Sequence, residues 1–212
     1  MPSTAISAQN ATVQISTGTG GAKNITAIAL GFPTILTIAA HGFSNGDVEV
    51  LAGIVGTTVL NGQTVTVKNK TTNTIAIDVD TTGGAAYVSG GTATPNTYTN
   101  VKNVKSFTPP AQAATELDLT NLDSVNKETI PGLIDPSSLS MTVDIDYTDA
   151  GQQAVRAANA AGLTKNWKIN MPNGKVISFS GWVKKFDTGS GAVDAVSKSN
   201  LEIRLTTIPV IA

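Results

Sequence analysis

The stretch from Trp167 to Asp187, WKINMPNGKVISFSGWVKKFD, reads as a β-hairpin. Trp167, Ile169 and Met171 alternate with Lys168 and Asn170, the period of two that sends successive side chains to opposite faces of a strand. Pro172 presets φ, and Asn173-Gly174 tolerates the positive φ of a tight turn, so the two runs become antiparallel neighbours. On the return strand Val176, Ser178, Ser180 and Trp182 fall on one face and Ile177, Phe179, Gly181 and Val183 on the other. Both tryptophans of the chain lie here, so the hairpin is expected to anchor the core of the C-terminal part.

Working outward, 212 residues suffice for one large β-domain or two small ones that need no staples, and two is the reading preferred. With no cysteine, neither disulfides nor thiolate chemistry is available. The start, MPSTAISAQNATVQIS, has no cationic segment followed by an apolar run, and no stretch is apolar for a membrane-spanning length. A soluble chain without a general export signal or membrane insertion is expected. Net charge is −1, but the charges are unevenly placed. Residues 1–95 hold three basic and four acidic side chains, which leaves eleven of each to the remainder, whereas 13 of the 20 glycines lie between Gly18 and Gly91. That shift marks a boundary near Thr94 and Pro95. Interspersed signs give no basic stripe, which argues against specific DNA or RNA binding.

Residues 11–17, ATVQIST, alternate as a single strand that Gly18, Gly20 and Gly21 break. From Asn24 follow NITAIAL, TILTIAA, DVEVLA, TVTVKN, TIAIDV and AAYVSGG, short strands rich in Thr, Ile and Val with turn residues between them and no helix. The run Thr34–Gly91 resembles a small β-module that recurs in phage structural proteins and is related to a domain of ubiquitin-activating enzymes. The residues that carry the likeness are Ala40-His41-Gly42-Phe43-Ser44-Asn45-Gly46-Asp47, Leu60-Asn61-Gly62-Gln63, Ala86-Tyr87 and Gly90-Gly91. The likeness implies a fold and no activity. His41, the sole histidine, has no second imidazole or thiol to share a metal with and is read as a turn residue packed beside Phe43.

Beyond Pro95, VKNVKSF (101–107) reads as a strand ended by Pro109 and Pro110, and ATELDLTNL (114–122) as another with Leu117, Leu119 and Leu122 inward. DSVNKETIPGLIDP (123–136) has no sustained period and reads as a long loop, either a partner surface or merely solvated. In LSMTVDIDY (139–147), Leu139, Met141, Val143, Ile145 and Tyr147 share one face and Ser140, Thr142, Asp144 and Asp146 the other. Thr148 is the expected N-cap of a helix that runs through AGQQAVRAANAA to Gly162, with Ala150, Ala154, Val155, Ala157, Ala158 and Ala161 as its close-packing face. A last strand within Ala192–Pro209 precedes an apolar tail, VIA, either tied to a neighbouring subunit or frayed.

Catalytic sets are missing. One histidine and no cysteine rule out the usual nucleophile and base pairs. Asp144 and Asp146 resemble the paired carboxylates of glycosidases only in number, because i and i+2 on a strand simply share its wet face. Asp78 and Asp80 lack calcium-loop spacing, and GTGGAK (18–23) lacks the Ser or Thr and the strand-to-helix context of a phosphate loop. No catalytic residue, cofactor or metal is expected, and the chain is read as a non-enzyme.

Residues 96–212, joined to the strand at 11–17, resemble the major tail tube protein of long-tailed, lambda-like bacteriophages. The likeness rests on Val101-Lys102 with Phe107, Leu122-Asp123, Ile130-Pro131-Gly132-Leu133 with Asp135, and the Asp-led helix rich in Gln and Ala. Lys168-Ile169, Met171-Pro172-Asn173-Gly174 and Phe179-Ser180-Gly181-Trp182-Val183 complete it. Thr129 stands where the family often has an aromatic residue, and Ser137 where a glycine is common. The resemblance implies a mainly β fold, a tail-tube-type β-sandwich or barrel with one flanking α-helix, built from residues 1–21 and 95–212. Residues 22–94 would form an inserted small all-β domain decorating the outside. It further implies homohexameric rings stacked into a tube that encloses a tape measure protein, meets tail terminator and tail tip proteins, and passes DNA without binding it specifically. Such a protein belongs to the virion and is assembled in the bacterial host cytoplasm. Candidate contacts between subunits or rings are Asp123, Lys127, Glu128, Ile130, Pro131 and Asp135; candidate channel-lining residues are Thr142, Asp144 and Asp146, whose acidity would keep DNA from sticking. The alternative is a carbohydrate-binding or adhesin-like β-module protein, for which only Phe32, Phe43 and Tyr87 offer aromatic platforms in the N-terminal part.

Overall fold

The computed structural model describes residues 7–109, 112–193 and 195–212. The expected hairpin is there: β13 (Thr164–Asn170) and β14 (Val176–Phe186) pair antiparallel, Trp167 opposite Phe179 and Ile169 opposite Ile177. Trp167 is fully buried and its indole N–H donates to the Gly181 carbonyl at 3.2 Å, whereas Trp182, on the other face, is 38% exposed. Only one of the two tryptophans anchors the core, because the two fall on opposite sides of the pleat.

Around this hairpin the strands β1 (Thr12–Thr19), β5 (Val48–Val55), β6 (Thr64–Thr66), β8 (Ser89–Val101), β9 (Val104–Thr108), β12 (Ser138–Asp144) and β16 (Ala195–Leu205) form one antiparallel sheet in the order β6-β5-β8-β1-β13-β14-β16-β12-β9. The composition boundary at Thr94–Pro95 falls inside β8 rather than in a linker. The first half of β8 pairs with β5, Ala93 opposite Leu51, and its second half with β1, Val101 opposite Val13.

Two cores result. Val13, Ile15, Leu139, Met141, Trp167, Ile169, Phe179 and Ile203 belong to the larger; the smaller lies between the β5–β6–β8 ladder and a three-stranded sheet of β3 (Ala27–Ala29), β4 (Thr34–Thr37) and β7 (Thr74–Ile77), and holds Leu36, Leu51, Leu60, Ile75 and Ile77. The fold is thus a mainly β sandwich or barrel with one flanking helix and a second, smaller all-β unit. Among the described residues no helix is long and apolar enough to cross a membrane.

The helix α1 (Ala150–Ala161) ends at Gly162 in the left-handed conformation, φ 62°, as the sequence predicts. Its N-cap is Asp149, not Thr148. The Asp149 carboxylate accepts the N–H groups of Gln152 (2.9 Å) and Lys102 (3.3 Å), while the Thr148 hydroxyl donates to Asp146. The buried face is also shifted, to Gly151, Gln152, Val155 and Ala158, leaving Ala150, Ala157 and Ala161 exposed. Gln152 satisfies its amide against the carbonyls of Asp144 (2.9 Å) and Lys102 (3.2 Å) and the N–H of Asp146 (3.0 Å), which ties the helix to both adjoining strand ends.

Three further expectations change. The strand at 101–107 is broken at Asn103, φ 61°, where the chain leaves β1 and turns to β12 as β9; Pro110 lies outside the described residues. Part of the expected 123–136 loop is strand. The VIA tail is neither frayed nor left for a neighbour: β17 (Val210–Ile211) pairs with β14, Ile211 opposite Ile177.

The helix lies so close to β8 that a Cβ on Gly151 would sit 2.0 Å from the Asn100 carbonyl oxygen and 2.8 Å from the Val101 Cα. Alanine gains about 1 kcal/mol of helix propensity over glycine, but overpacking against backbone costs about 1–3 kcal/mol. Since no flexible side chain can yield here, Gly151→Ala is expected to lower the urea unfolding midpoint, a net loss of roughly 1–2 kcal/mol.

Candidate functional site

Every sequence-level candidate for subunit contact falls on one feature. Strands β10 (Ala113–Asp118) and β11 (Thr129–Asp135) pair only with each other, as an arm separate from the two larger sheets. Their register sets Leu117 opposite Ile130, Glu116 opposite Pro131 and Ala113 opposite Asp135. A bulge between Ala114 and Glu116 brings Thr115 against Gly132, where a Cβ would lie 2.4 Å from the Thr115 hydroxyl, so glycine lets the arm close. Short polar side chains organise its tip. Asp118 accepts the Thr120 N–H at 2.9 Å, Asn121 accepts the Asp123 N–H at 2.8 Å, and the Glu128 N–H donates to the Thr120 hydroxyl at 3.0 Å.

Lys127 makes a long contact with Asp118, 4.0 Å between exposed side chains, and contributes little. Asp135 acts at the root. It accepts the Ser137 N–H at 2.8 Å and pairs with the Arg204 guanidinium at 2.7 Å, and these two donors hold its carboxyl below the usual carboxylate range. Ser137, at the position where the family often has glycine, takes a left-handed φ of 63°.

The arm's apolar residues are what sequence reasoning missed. Leu117 and Leu119 were expected inward; both are about half exposed, and Leu122, Val125 and Leu133 are almost wholly so. Alternation in the sequence signals that one side is to be covered, without saying by which chain. Patches of this kind mark interaction sites.

A second surface is polar. The outward side of β9, β12, β16 and β14 holds a shallow depression of about 380 Å³ lined by Ser106, Ser140, Thr142, Asn200 and Glu202. Thr142 and Asp144 share this side of β12, but Asp146 lies past the strand end, in the turn into α1, where the Thr148 hydroxyl and N–H hold its carboxyl below the ordinary range. Asp144 is paired with Lys105 at 2.9 Å and Glu202 with Lys184 at 2.8 Å. The face is therefore charge-balanced rather than acidic.

Among the described residues no set of side chains suited to catalysis is assembled. His41 is buried, 5.0 Å from the Phe43 ring centroid; Nδ1 accepts the Phe43 N–H at 2.9 Å, which leaves the proton on Nε2 to donate to the Thr71 carbonyl at 3.0 Å. Asp78 is paired with Lys68. Among the described residues no three His, Cys, Asp or Glu side chains are grouped to hold a metal ion.

The family model of the lambda phage tail tube protein matches residues 79–206, more than half of the chain, and that of the FCCH domain of ubiquitin-activating enzyme E1 matches residues 31–96. No curated protein matches. Among solved structures, the virion of a native gene transfer agent particle is 14% identical, with a TM-score of 0.46 over 54% of this chain and 88% of that one. The tail of an empty gene transfer agent particle, obtained by helical refinement with C6 symmetry, is also 14% identical, with a TM-score of 0.45 over 63% of this chain and 92% of that one. Because the tail tube match begins just after β7, ends with β16 and takes in arm, helix and hairpin alike, the chain belongs to the lambda phage tail tube protein family and is a structural component of the phage tail.

Proposed function

We propose that copies of this chain close into rings of six, that the rings stack into the tail tube, and that the tube encloses a tape measure protein and conducts DNA, with terminator and tip proteins at its ends and no reaction catalysed. Residues 1–21 and 95–212 form the tube, and residues 22–94 are an inserted module on its outside. The observation that carries this reading is the β10–β11 arm. A lone two-stranded hairpin is marginal in water, yet this one presents Leu119, Leu122, Val125, Ile130 and Leu133 to solvent. Each such side chain stabilises by roughly 1.5–3 kcal/mol when buried, and another copy supplies the cover. Asp123, Lys127, Glu128, Ile130 and Pro131 lie on that contact, and Asp135 fixes the arm's angle through Arg204.

The outer edge of β9 is the end of the sheet order and offers its hydrogen bonds to a strand of the next subunit. An arm seated on a different surface of its neighbour is a heterologous contact, the kind that builds rings and stacks. The polar side of β12, with Thr142 and Asp144 and with Asp146 at its rim, faces the lumen. Lys105 and Lys184 there are paired with Asp144 and Glu202, so DNA phosphates meet no unbalanced row of cations.

Removal of residues 113–135 is expected to leave a folded monomer that forms no tubes in electron micrographs; tubes of normal length would refute the arm's role. Leu133→Asp, at a position 87% exposed, should change monomer unfolding by no more than about 0.5 kcal/mol and still abolish tubes. Because the chain has no cysteine, Thr142→Cys and Asp144→Cys each provide a single thiol. Labelling by a bulky maleimide polymer is expected to be fast in monomers and blocked in tubes, and equal labelling in both states would put this face on the exterior.

A further inference from the structure

Where the small unit meets the hairpin lies a buried polar cluster apart from both the arm and the β12 face. Glu49 of β5 is fully buried, opposite Pro95 of β8 and Val65 of β6, and neither of its carboxylate oxygens has a protein hydrogen-bond partner among the described residues. Lys168 of β13, only 6% exposed, pairs with Asp47 in the turn before β5 and lies 4.1 Å from the Tyr98 ring centroid. The Tyr98 hydroxyl and the Asn96 amide nitrogen are also buried. This turn seats directly on the hairpin: the Gly46 carbonyl accepts the Ser178 hydroxyl at 2.7 Å, and a Cβ on Gly46 would lie 2.4 Å from Val176 Cγ1.

The charges facing Glu49 are Asp47 on its own segment and Lys168 from β13; β8 contributes the neutral Tyr98 phenol and β6 the apolar Val65. One cation thus serves two carboxyls, and Asp47 holds it. Burial disfavours the Glu49 carboxylate, Asp47 disfavours it further and Lys168 offsets only part, so the carboxyl is pushed up to about 8.

We propose that Glu49, with Asp47, Lys168 and Tyr98, is a proton-operated joint that seats the small unit on the hairpin when Glu49 is protonated and loosens it when deprotonation sets a second negative charge beside Asp47. The sign follows from proton uptake. The seated form holds a proton that a solvated Glu49 releases at its ordinary value of 4.5, so seating is strongest below that value and weakens as pH rises toward about 8. This is opposite to the usual effect of a carboxylate stabilised by a salt bridge.

The test is a carbon-13 carboxyl NMR titration of the purified full-length chain, joined to amide hydrogen exchange corrected for intrinsic rate. The reporter amides are Gly46, which donates to Val67, and Val67, which donates to Asp47. Glu49 is expected to titrate near 8, and protection at these amides to fall roughly thirtyfold between pH 6.5 and pH 9 while the β12–β16 ladder is unchanged. Glu49→Gln should keep the protection at pH 9. A Glu49 titration near 4.5, constant junction protection, or an equal fall in Glu49→Gln would overturn the proposal. If Glu49→Gln does not fold, the titration and exchange of the unaltered chain decide.

Discussion

A strand whose residues alternate apolar and polar has to have one side covered, and three answers to that demand organise this molecule. The larger core is covered by the curl of the sheet and by α1, whose Gly151 permits contact with the backbone of β8. The smaller core is covered by a second sheet, β3-β4-β7, so that Leu36 and Ile75 meet Leu51 and Leu60. Among the described residues no helix or sheet covers Leu122, Val125 and Leu133 of the arm.

Polar groups follow the same division. Those that hold the subunit together are deeply buried and mostly satisfied: Gln152 ties the helix to two strand ends, Asp149 caps it, and His41 spends both ring nitrogens on backbone. On the β12 side the exposed Lys105 and Lys184 pair across strands with the less exposed Asp144 and Glu202, where each pair adds little stability but keeps the surface neutral. Glu49 breaks the pattern, a fully buried carboxyl with no hydrogen-bond partner among the described residues.

What could be read from the sequence is what local chemistry decides. Pro172-Asn173-Gly174 carries its own turn geometry, Gly162 its left-handed φ, and the alternation of Leu139 to Val143 its buried side. The N-cap is displaced by one residue because Thr148 and Asp149 are both competent; the choice falls to the carboxylate, which reaches two N–H groups, one of them on Lys102, far away in sequence. Leu117 and Leu119 show the limit of periodicity, since an alternating strand reads the same whether its apolar side is buried or, as here, half exposed. Asp146 departs from the reading of 139–147 because the strand stops at Asp144 and the chain turns into the helix. Nothing in the sequence around Glu49 marks it as buried; β8, some forty residues on, closes over it. Burial by non-local pairing leaves no trace in the local text.

The smaller unit is joined to the larger twice, through the short link at residues 20–22 and through the interior of β8, and the second connection decides how force passes. When the unit is dragged away from the rest, the pull runs along the axis of β8, and the ladder from Val13–Val101 to Thr19–Asn96 is strained lengthwise, all its rungs together. A flexible connector would let the same pull peel the rungs apart one after another. On the β8 side the unit is therefore held by a paired strand, and a load placed on it is shared across the larger sheet.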